Sequence, residues 1–545
     1  MAAYHDTASS QSHSLTSPII WASVGCLALI VAPALALAPL PTAALALALI
    51  LAIIIAIINP VLGVFLLVLS VPIQEVVTLP GDVTFTQTAV MAALGGWGLH
   101  LLAHPERRLV TGRIFWLWLA FLCALLLSAS VTPYSQTEAL KEVLRWTVAF
   151  ITWFIAVNTI TRKREAIALI ICLLLAPTVG AIIGLMQFWT GTGPPSFRIG
   201  AGFVRAYSTI GTPNAFAGYL NMAWPLAVAL AVGMTWAAVR RLTTDHRPPT
   251  TDHRREPAFE RSEGTTNDRP PTTDSRSITD NRQRTTDNGQ QTHAQLPLTR
   301  SPAHPLISDR WLLLVGVWAI TGILCAALIV TFSRGGWVGA ALGCIGMALT
   351  LGRHMKWVAL IGGVALALAF VAGSAGLLPN AISERVTSVT RSVAFFDPAT
   401  VEVTPENFAV VERTAQIWSG WRMFVTHPVS GVGPGNYTLA YQDVAVAPWY
   451  SSRGHAHNYY IHIAGEAGMI GLLTYLLLIA GVIHQAIIAL RRATTPFWHS
   501  VVVGCCGIIV AVVGHSVFEQ LHALNMGVHL AAVWALVVYM NSSQQ

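Results

Sequence analysis

A chain of 545 residues in which 54% are hydrophobic and only 10% charged lies outside the range of a soluble globular domain. Its formal net charge of +7 would suit a nucleic-acid binder, but the basic residues fall in short clusters between apolar runs and form no single surface. The composition points instead to an integral membrane protein. Its apolar runs of about 15 to 25 residues match the length a helix needs to cross the hydrocarbon. With no water there to satisfy the backbone, the expected fold class is all-α, a polytopic transmembrane helical bundle.

In chain order, residues 1–17 lack the basic n-region of a cleavable signal, so a cytoplasmic tail and a retained first anchor are expected. Apolar runs then mark spans at 18–38, 42–58, 60–77, 86–104, 113–131, 144–161, 166–188 and 214–239, which together form an N-terminal group over 18–241. Pro60 separates the second from the third and allows a broken or re-entrant pair there, so about twelve to fourteen crossings are predicted in all. Residues 242–310 contain repeated Thr-Thr-Asp units, mixed charge and almost no aliphatic side chains. Such a segment cannot bury enough apolar surface to offset its ordering entropy, and a disordered cytoplasmic insert is expected. Further spans follow within 311–378, at 311–332, 335–351 and 356–375; a long extracytoplasmic loop covers 379–457; and 458–545 holds spans at 461–490, 498–517 and 524–541.

The basic clusters test the orientation. With the amino terminus inside, strict alternation puts 104–113, 161–165, Arg240 with Arg241, 352–356 and Arg491 with Arg492 all on the cytoplasmic side, as the positive-inside rule requires. The loop at 379–457 then faces outward. Its aromatics, among them Trp418, Trp421, Tyr437, Tyr441, Trp449 and Tyr450, suit either a carbohydrate or lipid platform or packing on the bundle. Its glycine-rich string "HPVSGVGPGNY" reads as a turn, because Pro434 interrupts it and no strand precedes it.

Three polar clusters interrupt or abut spans on that same outer face. Arg205 precedes a helix that Thr212 would cap with Pro213 at its first position. Arg334 stands at a glycine-softened corner in "TFSRGGWVG". His457 stands immediately before the helix whose free N–H groups Asn458 is placed to cap. Outer-face arginines run against the topological bias; snorkelling to lipid headgroups explains either one alone, whereas the two beside glycines suit an anion such as diphosphate. A helix N-terminus and nearby arginines would keep His457 neutral at pH 7 and hence competent as a general base. His455 is expected to be exposed, and Glu466 to be a structural partner within the bundle, among the small residues Ala464, Gly465, Ala467, Gly468 and Gly471. No Asp-rich metal motif, Walker loop or Ser-His-Asp arrangement is evident, so no metal and no cofactor are expected. The seven cysteines lie in apolar runs without ligand spacing and read as inert core residues.

The pieces "VRAYSTIGTPNAFAGYL", "TFSRGGW", "ERTAQIWSGWRMFVTHPVSGVGPGNY" and "HNYYIHIAGEAGMIGLL", in that order with a long outer loop before the His-Asn pair, resemble the O-antigen ligase and polymerase superfamily. The resemblance covers roughly residues 20 to 540 apart from the insert. It implies a GT-C-like bundle in the bacterial cytoplasmic membrane, with both termini cytoplasmic. It also implies metal-independent, inverting transfer of a glycan from an undecaprenyl-diphosphate carrier to a glycan, glycolipid or protein hydroxyl at the outer face. Carried over to this chain, His457 would deprotonate the acceptor and Arg205 and Arg334 would bind the diphosphate, with Asn458, Glu466, Arg413 and Tyr437 in support. The long insert departs from the compact family pattern. A different class of function, a transporter or flippase using the same residues as an anion path, would require charged residues at mid-membrane depth in several helices.

Overall fold

In a computed structural model, the structure describes residues 47, 50–51, 54–74, 78–79, 83–106, 108–199, 202–244, 306–351, 396–404, 407–522 and 524–542. The expected tail at 1–17, the first span, most of the second, the span at 356–375 and the core of the insert lie outside these residues.

The described chain is almost wholly helical. In chain order it contains α1 (Pro60–Ser70), α2 (Phe85–Ala103), α3 (Arg113–Ser130), α4 (Gln136–Thr159), α5 (Lys163–Thr190), α6 (Pro213–Asn221), α7 (Trp224–Thr244), α8 (Leu306–Val330), α9 (Arg334–Thr350), α10 (Phe408–Thr426), α11 (Tyr437–Val444), α12 (Tyr459–Arg492), α13 (Pro496–His515) and α14 (Met526–Ser542). Two two-residue hairpins, Thr78–Leu79 with Val83–Thr84 and Arg198–Ile199 with Phe203–Val204, are the only paired strands among the described residues. Among the described residues six helical stretches are long and apolar enough to cross a membrane: Arg113–Ser130, Lys163–Thr190, Pro213–Arg240, Trp311–Val330, Tyr459–Arg492 and Pro496–His515. The protein is therefore an all-α, multi-pass membrane bundle.

Two compact units divide the chain. Ala237–Leu313 is one of them, and its described part consists of the helical residues at its two ends. Helix α7 runs to Thr244 and α8 begins at Leu306, so helix extends a few residues into each end of the predicted 242–310 insert. All the packing and site geometry below belongs to the other unit.

Within that unit α9 packs chiefly on α13, α12 on α3 and α10, and α14 on α4. The α9–α13 contact is close because Gly335, Gly339, Gly343 and Gly346 are buried along one face of α9. A Cβ at Gly343 would stand 3.0 Å from the Ala511 side chain, and one at Gly346 2.8 Å from Val510. Without a driving force from water, such small-residue faces let two backbones approach closely enough for dispersion to hold them. The consequence is positional: the head of α9, with Arg334, is held against the end of α13, with His515.

Helix α4 starts at Gln136, eight residues before the predicted span. Ser135 accepts from Glu138 N–H as its cap, and Lys141 bonds Glu138 while Arg145 pairs with Glu142. Such pairs three residues apart extend a helix through sequence that an apolar-run reading discards. The cysteines do not all lie in the core: Cys172 and Cys505 are buried, but Cys123 and Cys344 face outward from their helices.

Candidate functional site

A narrow cleft opens where the loops at one end of the bundle converge. It is lined by Asn214 from the first turn of α6, Ser333, Arg334 and Gly335 at the head of α9, Arg413 of α10, His515 at the end of α13, and Phe518 and Glu519 just beyond. Local sequence builds each wall. Thr212 accepts from Ala215 N–H with Pro213 at N1, Ser333 accepts from Gly336 N–H, and Asn458 accepts from Tyr460 and Ile461 N–H, so three polar caps fix three helix starts around one site.

Arg205 follows the second hairpin and is braced rather than loose. Its Nε donates to Thr331 O at 2.8 Å and an NH2 group to Asn214 Oδ1 at 2.9 Å. It thereby ties α6 to the turn that presents Arg334. Arg334 and Arg413 line the cleft themselves, whereas Arg205 borders it through Asn214.

His457 sits at the mouth of α12 in a left-handed conformation, φ 51°, which a non-glycine residue adopts only under constraint. The constraint comes from both sides. Tyr459 N–H donates to Ser516 O at 2.8 Å, and upstream Arg453 Nε donates to Glu412 Oε1 at 2.7 Å while Gln416 Oε1 accepts from Arg453 N–H. Burial pushes the His457 imidazole down to about 4, with His455 and Arg413 acting in the same direction and Glu519 opposing. The ring is neutral at pH 7, as a base must be. Its main cause is burial, not the helix terminus on which the sequence reading relied.

The structure corrects the placement of His455. Its side chain is only 18% exposed, and its Nε2 lies 2.9 Å from Glu519 Oε1. Glu519 itself is a residue that the sequence reading did not select. Burial would push its carboxyl up, but its neighbours His455 and His457 overcome that and hold it well below the usual carboxylate range. A signal was present: an acidic residue in a chain with few, between the last two spans, on the face that alternation assigns to His457.

His515 was likewise not selected. Trp224 Nε1–H donates to Asn221 Oδ1 at 2.9 Å, which fixes that amide, so Asn221 Nδ2 donates to Gly336 O and to His515 Nδ1 at 3.2 Å. The neutral ring then carries its proton on Nε2, a buried donor without a hydrogen-bond partner.

Glu466 and Tyr437 lie away from the cleft. Glu466 accepts Gly435 N–H at 2.8 Å and Tyr437 N–H at 3.0 Å, and Tyr437 OH donates to Gln416 O at 2.6 Å. Thr132 and Asn436 complete the clamp: Thr132 Oγ1 donates to Val432 O at 2.6 Å and Asn436 Nδ2 to Thr132 Oγ1 at 3.1 Å. The glycine-rich string is thus a turn bolted to α12 and to the α3–α4 junction, with Gly431, Gly433 and Gly435 all at positive φ. The loop aromatics divide accordingly: Tyr437 and Tyr441 are fully packed, Trp449 nearly so, and Trp421 and Tyr450 stay exposed.

Among the described residues the cleft therefore assembles two arginines, a buried imidazole N–H and the Glu519 carboxylate, whose Oε1 lies 3.7 Å from Nδ1 of the neutral His457. Cations and fixed donors suit an anionic leaving group, and the neutral imidazole suits proton removal beside it. Residues 319–476, which contain Arg334, Arg413, His457 and Glu466, match the family model described as O-antigen ligase. No curated protein matches the chain. Over that segment, which is under half of the chain, the protein is similar to the O-antigen ligase and polymerase superfamily.

Proposed function

We propose that the protein transfers a glycan from an undecaprenyl-diphosphate carrier to an acceptor hydroxyl, with inversion and without a metal, at the outer face of the bacterial cytoplasmic membrane. The family match supports glycosyl transfer of the O-antigen ligase or polymerase type. The observation that carries the finer reading is the convergence of Arg334 and Arg413 on one cleft whose edge is formed by Glu519, the partner of His455 and neighbour of His457.

In this mechanism His457 removes the acceptor proton while the hydroxyl oxygen attacks the anomeric carbon. The bond from that carbon to the carrier's diphosphate oxygen breaks, and its electron pair leaves with the diphosphate. Arg334 and Arg413 take up the developing negative charge, a task that Mg²⁺ performs in many phosphoryl-transfer sites. Arg205 holds the turn that aims Arg334 and reaches the same anion. Asn458 keeps the α12 terminus in place beneath His457, and Glu466 and Tyr437 fix the outer loop.

Deleting the gene in its host should make carrier-linked glycan accumulate, as read by mass spectrometry, and reintroduced wild type should clear it. His457→Ala should leave it uncleared, with transfer reduced by about 10² to 10⁴. Arg334→Lys keeps a charge but loses the planar fork, and should raise the KM for donor. Unchanged carrier pools after deletion would defeat the proposal.

A further inference from the structure

The proton positions around His457 follow from its neighbours. His455 Nδ1 accepts a hydrogen bond from the His457 backbone N–H at 3.1 Å. A nitrogen that accepts carries no proton, so the proton of the His455 ring sits on Nε2, 2.9 Å from Glu519 Oε1. His455, His457 and Glu519 each offer a ligand atom, all within 4.8 Å of one another, a spacing that a cation could use. Coordination through His455 Nε2, however, would strip both nitrogens of that ring of protons while Nδ1 keeps its backbone bond. The arrangement fits a proton at Nε2 and not a metal.

Glu519 Oε1 thus receives one hydrogen bond from His455 and has lone-pair capacity left. Close to it, at 3.7 Å, stands His457 Nδ1, a buried atom without a hydrogen-bond partner. That separation is too long for a hydrogen bond, but catalytic contacts are often long before substrate arrives and tighten in the complex. The two imidazoles lie 4.1 Å apart between centroids, so His455 also limits how His457 can turn.

We propose that Glu519, steered by His455, is the positioning carboxylate of His457: Oε1 takes the hydrogen bond of Nδ1–H and so leaves Nε2 bare to meet the acceptor hydroxyl. This rests on the glycosyl-transfer reading for its purpose but not for its geometry. During transfer the acceptor proton passes to Nε2, Nδ1 keeps its own, and Glu519 stays ionised and stabilises the imidazolium. Three titratable or charged groups act on the ring. Glu519 raises its proton affinity, and His455 and Arg413 lower it; Arg334 and His515 line the cleft that Glu519 borders. Glu519 is the one carboxylate among them.

The test is ¹⁵N NMR of the histidine rings in the full-length protein in nanodiscs, together with turnover of a lipid-diphosphate glycan. Wild type should show His457 protonated at Nδ1 and His455 at Nε2. In Glu519→Ala, His457 should shift toward the Nε2–H tautomer, and kcat should fall by about 10- to 100-fold while the KM for donor stays within about twofold. Glu519→Gln, which keeps an accepting oxygen without the charge, should hold the Nδ1–H tautomer with a smaller fall in kcat, and it serves if the alanine variant does not fold. An Nε2–H tautomer of His457 in wild type, or a tautomer unmoved in Glu519→Ala, overturns the inference whether or not the protein transfers glycan. Full turnover in either Glu519 variant beside an inactive His457→Ala overturns it as well. A wild type that shows the predicted tautomers but transfers no glycan supports the positioning and overturns the proposed function instead.

Discussion

At the scale of single residues, His457 is the group whose chemistry is most constrained. Buried and held near 4, it is already in its basic form across the neutral range. A pH profile of kcat/KM should therefore show no loss attributable to His457 between pH 8 and 5.5, because protonation sets in only as the pH falls toward about 4. A limb near the ordinary histidine value of about 6.5 would mean that the ring is more exposed than the structure shows. His457, Arg334, Asn458 and Arg205 were legible in sequence because each abuts a span beside a cap or a glycine. Glu519 and His455 were not. A sequence gives their side of the membrane but not that 63 intervening positions close into a 2.9 Å contact, and a histidine in a loop is naturally read as exposed.

At the scale of elements, the clamp between Glu466 and the glycine-rich turn sets the geometry of the outer loop. Helix α12 breaks at Gly468, φ 65° and ψ −166°, a conformation open essentially to glycine alone. There Met469 N–H turns out to donate to Pro428 O at 2.8 Å. A Cβ at Gly468 would collide with Val429 O. Gly468→Ala should thus destabilise the protein by about 1–3 kcal/mol, read as a lower midpoint of thermal unfolding in detergent. Glu466→Ala strands the Gly435 and Tyr437 N–H groups, at about 1–3 kcal/mol for each if no water replaces the carboxylate. Unfolding midpoints equal to wild type would show that the turn is held without either residue. The sequence reading saw a polar residue among small ones and gave Glu466 a partner in the bundle, but not which one. Its acceptors serve main-chain N–H groups, and main chain leaves no signature of identity in a sequence. The caps Thr212 and Asn458, by contrast, were readable, since they act on N–H groups two or three positions along.

At the scale of the whole molecule, the bundle has a chemical polarity along its length. The cleft lies where α6 and α9 begin and α13 ends, while Arg113 opens α3, Lys163 and Arg164 open α5, and Arg491 and Arg492 close α12. The basic clusters thus mark helix ends one crossing away from the cleft, which is the arrangement that the positive-inside rule predicts for an outer-facing site. In a background with the native cysteines replaced, Ser452→Cys should react with a membrane-impermeant thiol reagent on intact cells, and Arg491→Cys only after permeabilisation. The reverse pattern would turn the site to the cytoplasm and remove the basis for a lipid-linked donor at the outer face. Apolar run length made the bundle legible, because span length is fixed by the hydrocarbon.

The most direct measurement is single-turnover transfer by the purified protein in nanodiscs, with an undecaprenyl-diphosphate glycan as donor and a hydroxyl-bearing acceptor glycan, and with both products followed by mass spectrometry. The account predicts stoichiometric formation of acceptor-linked glycan and undecaprenyl diphosphate in wild type, and donor binding without transfer in His457→Ala. Transfer at the wild-type rate in His457→Ala, or wild-type protein that binds the donor and leaves its glycan in place, would contradict it.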